Sequence, residues 1–313
     1  MTLVSDVCQL IGKTPLVKLN SITANLPATV LVKLESFNPG GSVKDRLAFA
    51  MIKDGEDRGC IRDDTVIIEP TSGNTGVGLA MICAQKGYRL IVVMPENMSL
   101  ERRRLIQAYG AELFLTNATE GMKGAIEKAE ELSREIENAF MPMQFENQSN
   151  VKYHQETTAE EILKDTNGKL DVFVAGVGTG GTFTGISSVL KERIGNVTCV
   201  AVEPKDSAVL SGEAPGSHKI QGIGAGFVTK ITDTELIDDI IKVDFKDAEK
   251  TMQQLAEKEG ILCGISSGAN VWAAMQLAQR PEYINRNIVT VICDTGERYL
   301  SLNIFNERNY EEV

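Results

Sequence analysis

Short apolar runs alternate with longer helical patterns along nearly the whole chain, and this alternation restricts the fold more than any other feature. The β-branched runs predicted as strands cover residues 29–35, 65–69, 89–94, 112–115, 171–175, 197–202 and 288–293. Helical patterns follow them, for example near residues 182–193 and 247–258. Strands that alternate with helices form βαβ units, in which neighbouring strands are parallel. We therefore predict an α/β fold of two open, mostly parallel sheets flanked by helices, with an irregular crossing between them near residues 147–151.

Length and charge restrict the partners. With 313 residues, 42% of them hydrophobic, the chain can bury a substantial core and divide into two domains. A net charge of −11 disfavours nucleic acids and anionic membranes, so small molecules are the expected partners. Residues 1–6 show no secretory pattern, and no apolar run is long enough to span a membrane. The expected location is the cytoplasm.

Cysteine and histidine are scattered rather than clustered. The chain has six cysteines and two histidines, and no C-x-x-C spacing occurs among them. These residues are Cys8, Cys60, Cys83, Cys199, Cys263, Cys293, His154 and His218. Neither a metal site nor a disulfide framework is predicted.

Lys44 lies in a glycine-rich segment, residues 38–46, where a strand-like run gives way to a helical pattern. Ser42 followed by Asp45 reads as a capping box, which places Lys44 in the first helical turn, where the helix dipole disfavours a cation. A lysine whose charged form is disfavoured is a candidate nucleophile toward a carbonyl, as in pyridoxal-phosphate enzymes. The alternative is a solvated lysine at the start of the helix. The other segments of the chain must distinguish these two interpretations.

Three further junctions between strand and helix carry ligand-binding patterns, since open parallel sheets bind ligands at such points. In residues 69–76, hydroxyls, an amide side chain and helix N–H groups converge, which suits a carboxylate or another small anion. A capped helix start that uses glycines for turning is the alternative there. Residues 264–268, taken alone, indicate only a helix N-cap.

The junction at residues 176–182 has the character of a phosphate cradle. Gly176, Gly178 and Gly181 match the dinucleotide fingerprint, and Glu203 ends the next strand where a ribose-binding acid would lie. A single phosphate monoester uses the same backbone donors, with added hydroxyls from nearby threonines. The monoester is favoured because a dinucleotide leaves Lys44 and the other junctions without a role. No P-loop lysine follows, so a nucleoside triphosphate is not expected.

Taken together, these segments resemble the cysteine synthase (O-acetylserine sulfhydrylase) family of fold-type II pyridoxal-phosphate enzymes. The resemblance covers most of the chain and rests on residues 11–16, 33–46, 94–96, 99–103, 144–147, 219–227 and 296–300. It implies a tryptophan synthase β-like fold. A smaller α/β domain, residues 43–148, would carry the substrate carboxylate loop. A larger one, residues 1–42 plus 149–313, would carry the phosphate loop.

The resemblance also implies a role for each matching residue. Lys44 would be the Schiff-base residue and the base, Asn74 the partner of the cofactor's ring hydroxyl oxygen, and Ser266 the partner of the pyridine nitrogen. The implied phosphate ligands are Gly178, Thr179, Gly180, Gly181 and Thr182. The implied substrate-binding residues are Thr71, Ser72, Asn74, Thr75, Gln144 and, at the site mouth, Gly222.

The implied reaction is β-replacement, which forms L-cysteine from O-acetyl-L-serine and sulfide through an aminoacrylate intermediate. The implied assembly is a homodimer that can bind the C-terminal tail of serine acetyltransferase. Three departures from the family pattern leave donor and nucleophile open, namely Gln148-Ser149, Ala159-Glu160 and Glu213, of which the first and last are expected near the mouth. The alternatives are a cystathionine β-synthase, an enzyme that releases sulfide from cysteine, and a purely regulatory partner of serine acetyltransferase.

Overall fold

The computed structural model describes residues 3–71, 73–302 and 304–305. Within them the strands are β1 (Leu16–Lys18), β2 (Thr29–Leu34), β3 (Val66–Pro70), β4 (Arg89–Pro95), β5 (Glu112–Thr116), β6 (Ala139–Phe140), β7 (Val172–Gly176), β8 (Thr198–Pro204), β9 (Asp239–Val243) and β10 (Asn287–Ile292). The α-helices described are α1 (Lys44–Asp57), α2 (Asn74–Lys86), α3 (Leu100–Ala108), α4 (Gly121–Glu135), α5 (Gln148–Tyr153), α6 (Glu160–Asp165), α7 (Gly181–Ile194), α8 (Phe245–Gln254) and α9 (Ile265–Ala278). Each strand predicted from the sequence is present.

The strands form two sheets. One has the order β1-β2-β10-β7-β8-β9 and the other the order β5-β4-β3-β6. All neighbouring strands are parallel except β1 and β2, which pair antiparallel. The predicted fold class, two open and mostly parallel sheets flanked by helices, is confirmed.

The central strands are buried along nearly their whole length because helices cover both faces of each sheet. Every residue of β3 is buried, and so is every residue of β4 after Arg89. Such strands read as continuous apolar runs, which explains why the sequence pattern located them. The sheets therefore present their strand ends, where the candidate loops lie, on rigid supports.

The predicted irregular crossing near residues 147–151 is wrong in detail. This stretch begins a helix, since the Asn147 side chain accepts a hydrogen bond from the Ser149 amide and caps α5. From α5 the helix continues through a π-helical segment, His154–Ala159, into α6. The reason for the error is that the Asn N-cap signal was read as irregular polar sequence. This continuous helix is called the 148–165 helix below.

A buried charge cluster fixes the start of α1. Arg46, fully buried, binds Glu35 at 2.7 Å and Glu161 at 2.8 Å, and so joins α1 to the end of β2 and to α6. Burial acts to raise the pKa of Glu161, but its hydrogen bonds and attraction to Arg46 lower that pKa to about 2. Lys33 also reaches Glu161, at 3.0 Å. Because Arg46 lies half a turn from Lys44, the cluster holds the helical turn that carries Lys44.

Candidate active site

Lys44 is the first residue of α1, as the sequence predicted, but the predicted capping box is wrong. Val43 occupies the N-cap position without a side-chain cap. The Ser42 hydroxyl accepts from the Lys44 amide at 3.2 Å, and the Asp45 carboxylate accepts from the Gly40 amide at 2.6 Å. Asp45 turns toward the glycine loop because that loop's amide would otherwise be buried without a partner.

The surroundings of the Lys44 amine favour its neutral form. Burial lowers the pKa of Lys44, while Cys293, Asp294 and Glu35 oppose that shift. Within the described ranges, no side chain or backbone group accepts a hydrogen bond from the amine. A lysine with a lowered pKa has more neutral amine at a given pH, which is the form that attacks carbonyls and removes protons.

A cavity of about 250 Å³ brings the predicted residues together. Lining it are Lys44, Thr71, Asn74, Thr75, Gln144, Gly178, Thr179, Thr182, Gly222 and Ser266. Gly180 and Gly181 do not line it; they form the N-cap and the first residue of α7. Ser72 lies outside the described residues. Residues distant in sequence thus line one cavity.

The loop before α2 is held by Gln144. Its Nε2 donates to the Pro70 carbonyl at 3.1 Å, and its Oε1 accepts from the Thr75 hydroxyl at 2.7 Å. The Thr71 hydroxyl oxygen accepts from the Gly73 amide at 3.1 Å, which leaves the Thr71 hydroxyl hydrogen free to donate. No side chain caps α2, so its first N–H groups remain available as well. This arrangement suits a carboxylate.

The loop before α7 suits a phosphate. Gly180 adopts φ +89° and has no side chain to cap α7, so the N–H groups that follow Gly181 in the first turn have no side-chain acceptor among the described residues. Gly178 lies so close to the Gly222 carbonyl that a Cβ atom would clash there. The helix N-terminus and the two threonine hydroxyls face the same cavity. N–H and hydroxyl donors therefore converge at one side of the cavity, where they can bind an anion.

The dinucleotide alternative is not supported by the position of Glu203. This residue is 1% exposed, and its carboxylate accepts from the Leu210 and Ser211 amides at 2.8 and 3.1 Å. The Ser211 hydroxyl also donates to it, at 2.6 Å. The carboxylate holds the following turn and is not available for a ribose.

A polar network around Asn74 was missed by the sequence analysis. The Asn74 amide donates to Asp294 at 2.6 Å, and its oxygen accepts from Arg298 at 2.7 Å and Arg102 at 3.3 Å. Tyr299 donates to the same Asp294 oxygen at 2.6 Å and lies 4.7 Å beneath the Arg102 guanidinium. The matching segments at residues 99–103 and 296–300 were the only available signal, and they gave no pairing. The network fixes the side chain of Asn74, which lines the same cavity as Lys44.

His218 also lines the cavity, together with Lys44 and Arg102. Its Nε2 lies 2.8 Å from the Gly224 carbonyl and so carries the hydrogen, while the buried Nδ1 has no partner within the described residues. Lys44 is thus not alone as a titratable group in the cavity.

Two of the departures from the family pattern do not contribute to the cavity lining. Gln148 and Ser149 start α5 and Glu213 pairs with Lys242, and none of the three lines the cavity among the described residues. Their expected position near the mouth stays a prediction. The lining residues 221–225 and Phe227 belong to a segment that matches the family.

Asp45 provides a test of the electrostatics near Lys44. Burial raises the pKa of the Asp45 carboxyl to about 7, against the opposing effect of Arg298. The folded protein therefore retains this proton more tightly than the unfolded chain, whose carboxyl has a pKa of 3.8. The stability it contributes is complete below pH 3.8 and is lost as the pH rises toward about 7.

We expect Asp45→Asn to remove this pH dependence, because the amide can still accept from Gly40 and carries no charge. Between about pH 4.5 and about pH 7.5, the wild-type free energy of unfolding should fall relative to that of the variant by on the order of 3 kcal/mol. Urea unfolding at both pH values measures this difference. A constant difference between the two proteins would show that Asp45 ionises normally.

Comparisons with known proteins agree with this geometry. The family model described as pyridoxal-phosphate dependent enzyme matches residues 7–294. The chain belongs to this family. A cysteine synthase from Staphylococcus aureus is 51% identical over 304 residues, which are 97% of each chain.

Two solved structures of the family are also similar over nearly the full length. One is a hydrogen sulfide-producing enzyme from Fusobacterium nucleatum, with 49% identity and a TM-score of 0.92 over 95% of this chain and 100% of that one. The other is cysteine synthase from Entamoeba histolytica, with 41% identity and a TM-score of 0.94 over 99% of this chain and 93% of that one. The predicted family resemblance, enzyme class, fold class and pyridoxal-phosphate cofactor are confirmed.

The residues present fit the family's cofactor. An aldehyde-bearing ring needs a lysine that is neutral in part, and Lys44 meets this need at one side of the cavity. A phosphate ester needs free donors, and the uncapped start of α7 with its adjacent hydroxyls supplies them.

Among the helices that the structure describes, none has the length and apolar character of a membrane span.

Proposed function

We propose that this protein forms L-cysteine from O-acetyl-L-serine and sulfide in a pyridoxal-phosphate-dependent β-replacement. One observation carries the proposal: the Lys44 amine, the uncapped start of α7 and the carboxylate-binding loop before α2 face one cavity. The reaction predicted from the sequence also agrees with the identity of the Staphylococcus aureus relative, a cysteine synthase.

Lys44 and the cofactor-binding residues have different proposed roles. Bound pyridoxal phosphate supplies a carbonyl for linkage to an amine and a ring that withdraws electrons from the substrate's α-carbon. Lys44 would hold the cofactor covalently through its Nζ, and the same amine, when free, would act as the base that takes the proton from the substrate's α-carbon. The residues proposed to hold the cofactor are Asn74, Gly178, Thr179, Gly180, Gly181, Thr182 and Ser266.

The substrate is positioned by its carboxylate. The Thr71 hydroxyl and the first amides of α2 donate to this carboxylate, while Gln144 and Thr75 hold the loop in shape. Ser72 and Gly222 complete the proposed substrate-binding set. Acetate is a good leaving group and departs without a dedicated proton donor, whereas expulsion of hydroxide from serine needs one.

Thr71→Val tests the carboxylate site. The lost hydrogen bond to a charged group should weaken binding of O-acetylserine by about 1.5–3 kcal/mol. Cofactor affinity should stay unchanged, because Thr71 is proposed to touch the substrate alone. Equilibrium titration of each ligand separates the two effects, and a parallel loss of cofactor would mean that the loop is only structural.

The substrate pair is tested by competition. O-acetylserine with sulfide, serine with homocysteine, and cysteine alone are supplied at matched concentrations, and cysteine, cystathionine and released sulfide are measured. We expect cysteine formation to be fastest. The similarity to a hydrogen sulfide-producing enzyme favours sulfide release as the second candidate. Faster sulfide release from cysteine, or dominant cystathionine, would replace the proposed substrate pair.

Domain division and assembly are also proposals. The four-stranded sheet spans residues 66–140 and so falls within the smaller domain proposed at residues 43–148. The larger domain would comprise residues 1–42 plus 149–313. We expect a cytoplasmic homodimer that binds the C-terminal tail of serine acetyltransferase. Light scattering, with and without a peptide of that tail, measures both associations.

A further inference from the structure

We propose that Asn150 and His154, on the 148–165 helix, are positioning residues that force the hydroxyl hydrogens of Thr179 and Thr182 toward the cofactor's phosphate. The proposal rests on the phosphate site described above, and extends it to residues that lie behind the loop. A threonine hydroxyl can either donate or accept, and only a donor stabilises an anion. What decides the direction is the set of partners on its buried side.

Thr179 is made a donor by Asn150. The Asn150 Nδ2 lies 3.2 Å from the Gln144 carbonyl and 3.1 Å from the Thr179 hydroxyl. The carbonyl can only accept, so the amide nitrogen faces both partners and donates to Thr179. The Gly181 amide also donates to this hydroxyl, at 3.4 Å. Because the Thr179 oxygen accepts twice, its own hydrogen is left to point into the cavity.

His154 makes the Thr182 hydroxyl a hydrogen-bond donor in the same way. The imidazole is fully buried, with Nδ1 2.8 Å from the Thr158 hydroxyl and Nε2 3.1 Å from the Thr182 hydroxyl. Within the described part of the chain, the Thr158 hydroxyl has no other hydrogen-bond partner. Thr158 must therefore donate to Nδ1, since a buried hydroxyl hydrogen without an acceptor is costly.

That choice fixes the imidazole tautomer. With Nδ1 as acceptor, the single hydrogen of neutral His154 lies on Nε2 and is donated to Thr182. The Thr182 hydrogen is then free for the anion. Burial, followed in size by the charge of Arg46, lowers the pKa of His154 to about 3, so the ring stays neutral near neutral pH. The path from Thr158 through His154 to Thr182 is called the relay below.

Thr158→Val tests the relay without touching the ligand. Valine removes the donor to Nδ1, so the other tautomer becomes accessible and Thr182 can turn its hydrogen to Nε2. The measured quantity is the ratio of the affinities of the cofactor-free, full-length protein for pyridoxal 5'-phosphate and for pyridoxal, which lacks the phosphate. We expect this ratio to fall about tenfold. Thr158→Ser keeps the hydroxyl and should restore the ratio.

Two controls separate the relay from a general structural effect. Thr166→Val removes a hydroxyl that donates to the Ile162 carbonyl at the end of the same helix, and should leave the ratio unchanged. Adding Thr158→Val to Thr182→Val should cause no further loss, because the relay acts only through Thr182. An equal loss of affinity for both ligands in Thr158→Val, or additive losses in the double variant, would overturn the relay.

The contact between Asn150 and Thr179 can be tested separately, even if Thr158→Val does not fold. Asn150→Ala should lower the ratio, and should do so less when Thr179 is already valine. An unchanged ratio in Asn150→Ala would contradict the proposal. A wild-type protein that binds pyridoxal as tightly as pyridoxal 5'-phosphate would instead refute the phosphate site itself, which distinguishes the two failures.

Discussion

Replacing Lys44 with alanine should lower the rate of β-replacement by at least about 10⁴-fold, because the variant lacks both the amine that binds the cofactor and the base that removes the α-proton. Loss of either role alone would slow the reaction strongly. The measurement is steady-state cysteine formation from O-acetylserine and sulfide. Thermal unfolding should show that the variant keeps its fold, since Lys44 makes no hydrogen bond through its amine in the described structure.

The matched control is Lys53→Ala on the same helix. Lys53 is exposed and pairs with Asp57 at 2.8 Å, so its loss should leave the rate unchanged. The competing base is His218, whose Nδ1 faces no partner among the described residues. Substantial activity in Lys44→Ala that disappears when His218 is also replaced would assign the base to His218 and contradict the account.

Replacing Arg46 with methionine should lower the free energy of unfolding by about 3–5 kcal/mol, because Glu35 and Glu161 lose the cation that compensates their burial. Glu35 is fully buried, and its pKa is lowered by Arg46 in spite of the opposing effect of burial. Methionine keeps much of the side-chain volume, so the change isolates the charge. Urea unfolding at neutral pH provides the measurement.

An exposed arginine at the C-terminal end of α1 provides the comparison for Arg46. Arg58 pairs with Asp54 at 3.0 Å and its side chain is 62% exposed, so Arg58→Met should cost at most about 1 kcal/mol. The stability cost of Arg46→Lys should lie between the costs of these two variants. Lysine keeps the positive charge but cannot make the bidentate hydrogen bonds of a guanidinium. Equal costs for Arg46→Met and Arg58→Met would show that the buried cluster contributes little to stability.

Local patterns in the sequence located most of the supporting elements. The buried strands β3, β4, β7, β8 and β10 read as apolar runs because helices cover both of their faces. The loops that follow β3 and β7 were recognisable because glycine and hydroxyl residues there precede helical patterns. The position of Lys44 at the start of α1 followed from the same kind of signal.

Long-range pairings could not be read from local patterns. Asn74 meets Arg298 across more than two hundred residues, and the buried Arg46 meets Glu161 across more than one hundred. No periodicity encodes such contacts, since they depend on how the two sheets and their helices come together. The same holds for Asn150 and His154, which reach the phosphate loop only because the 148–165 helix packs against α7.

The most direct test of the account is to reduce the cofactor-loaded protein with borohydride and to locate the modified residue by peptide mass spectrometry. The account predicts a pyridoxyl group on Lys44 and on no other lysine. A label on a different lysine would contradict the assignment of the active site. A protein that carries a nicotinamide dinucleotide, and no pyridoxyl group, would contradict the proposed chemistry as a whole.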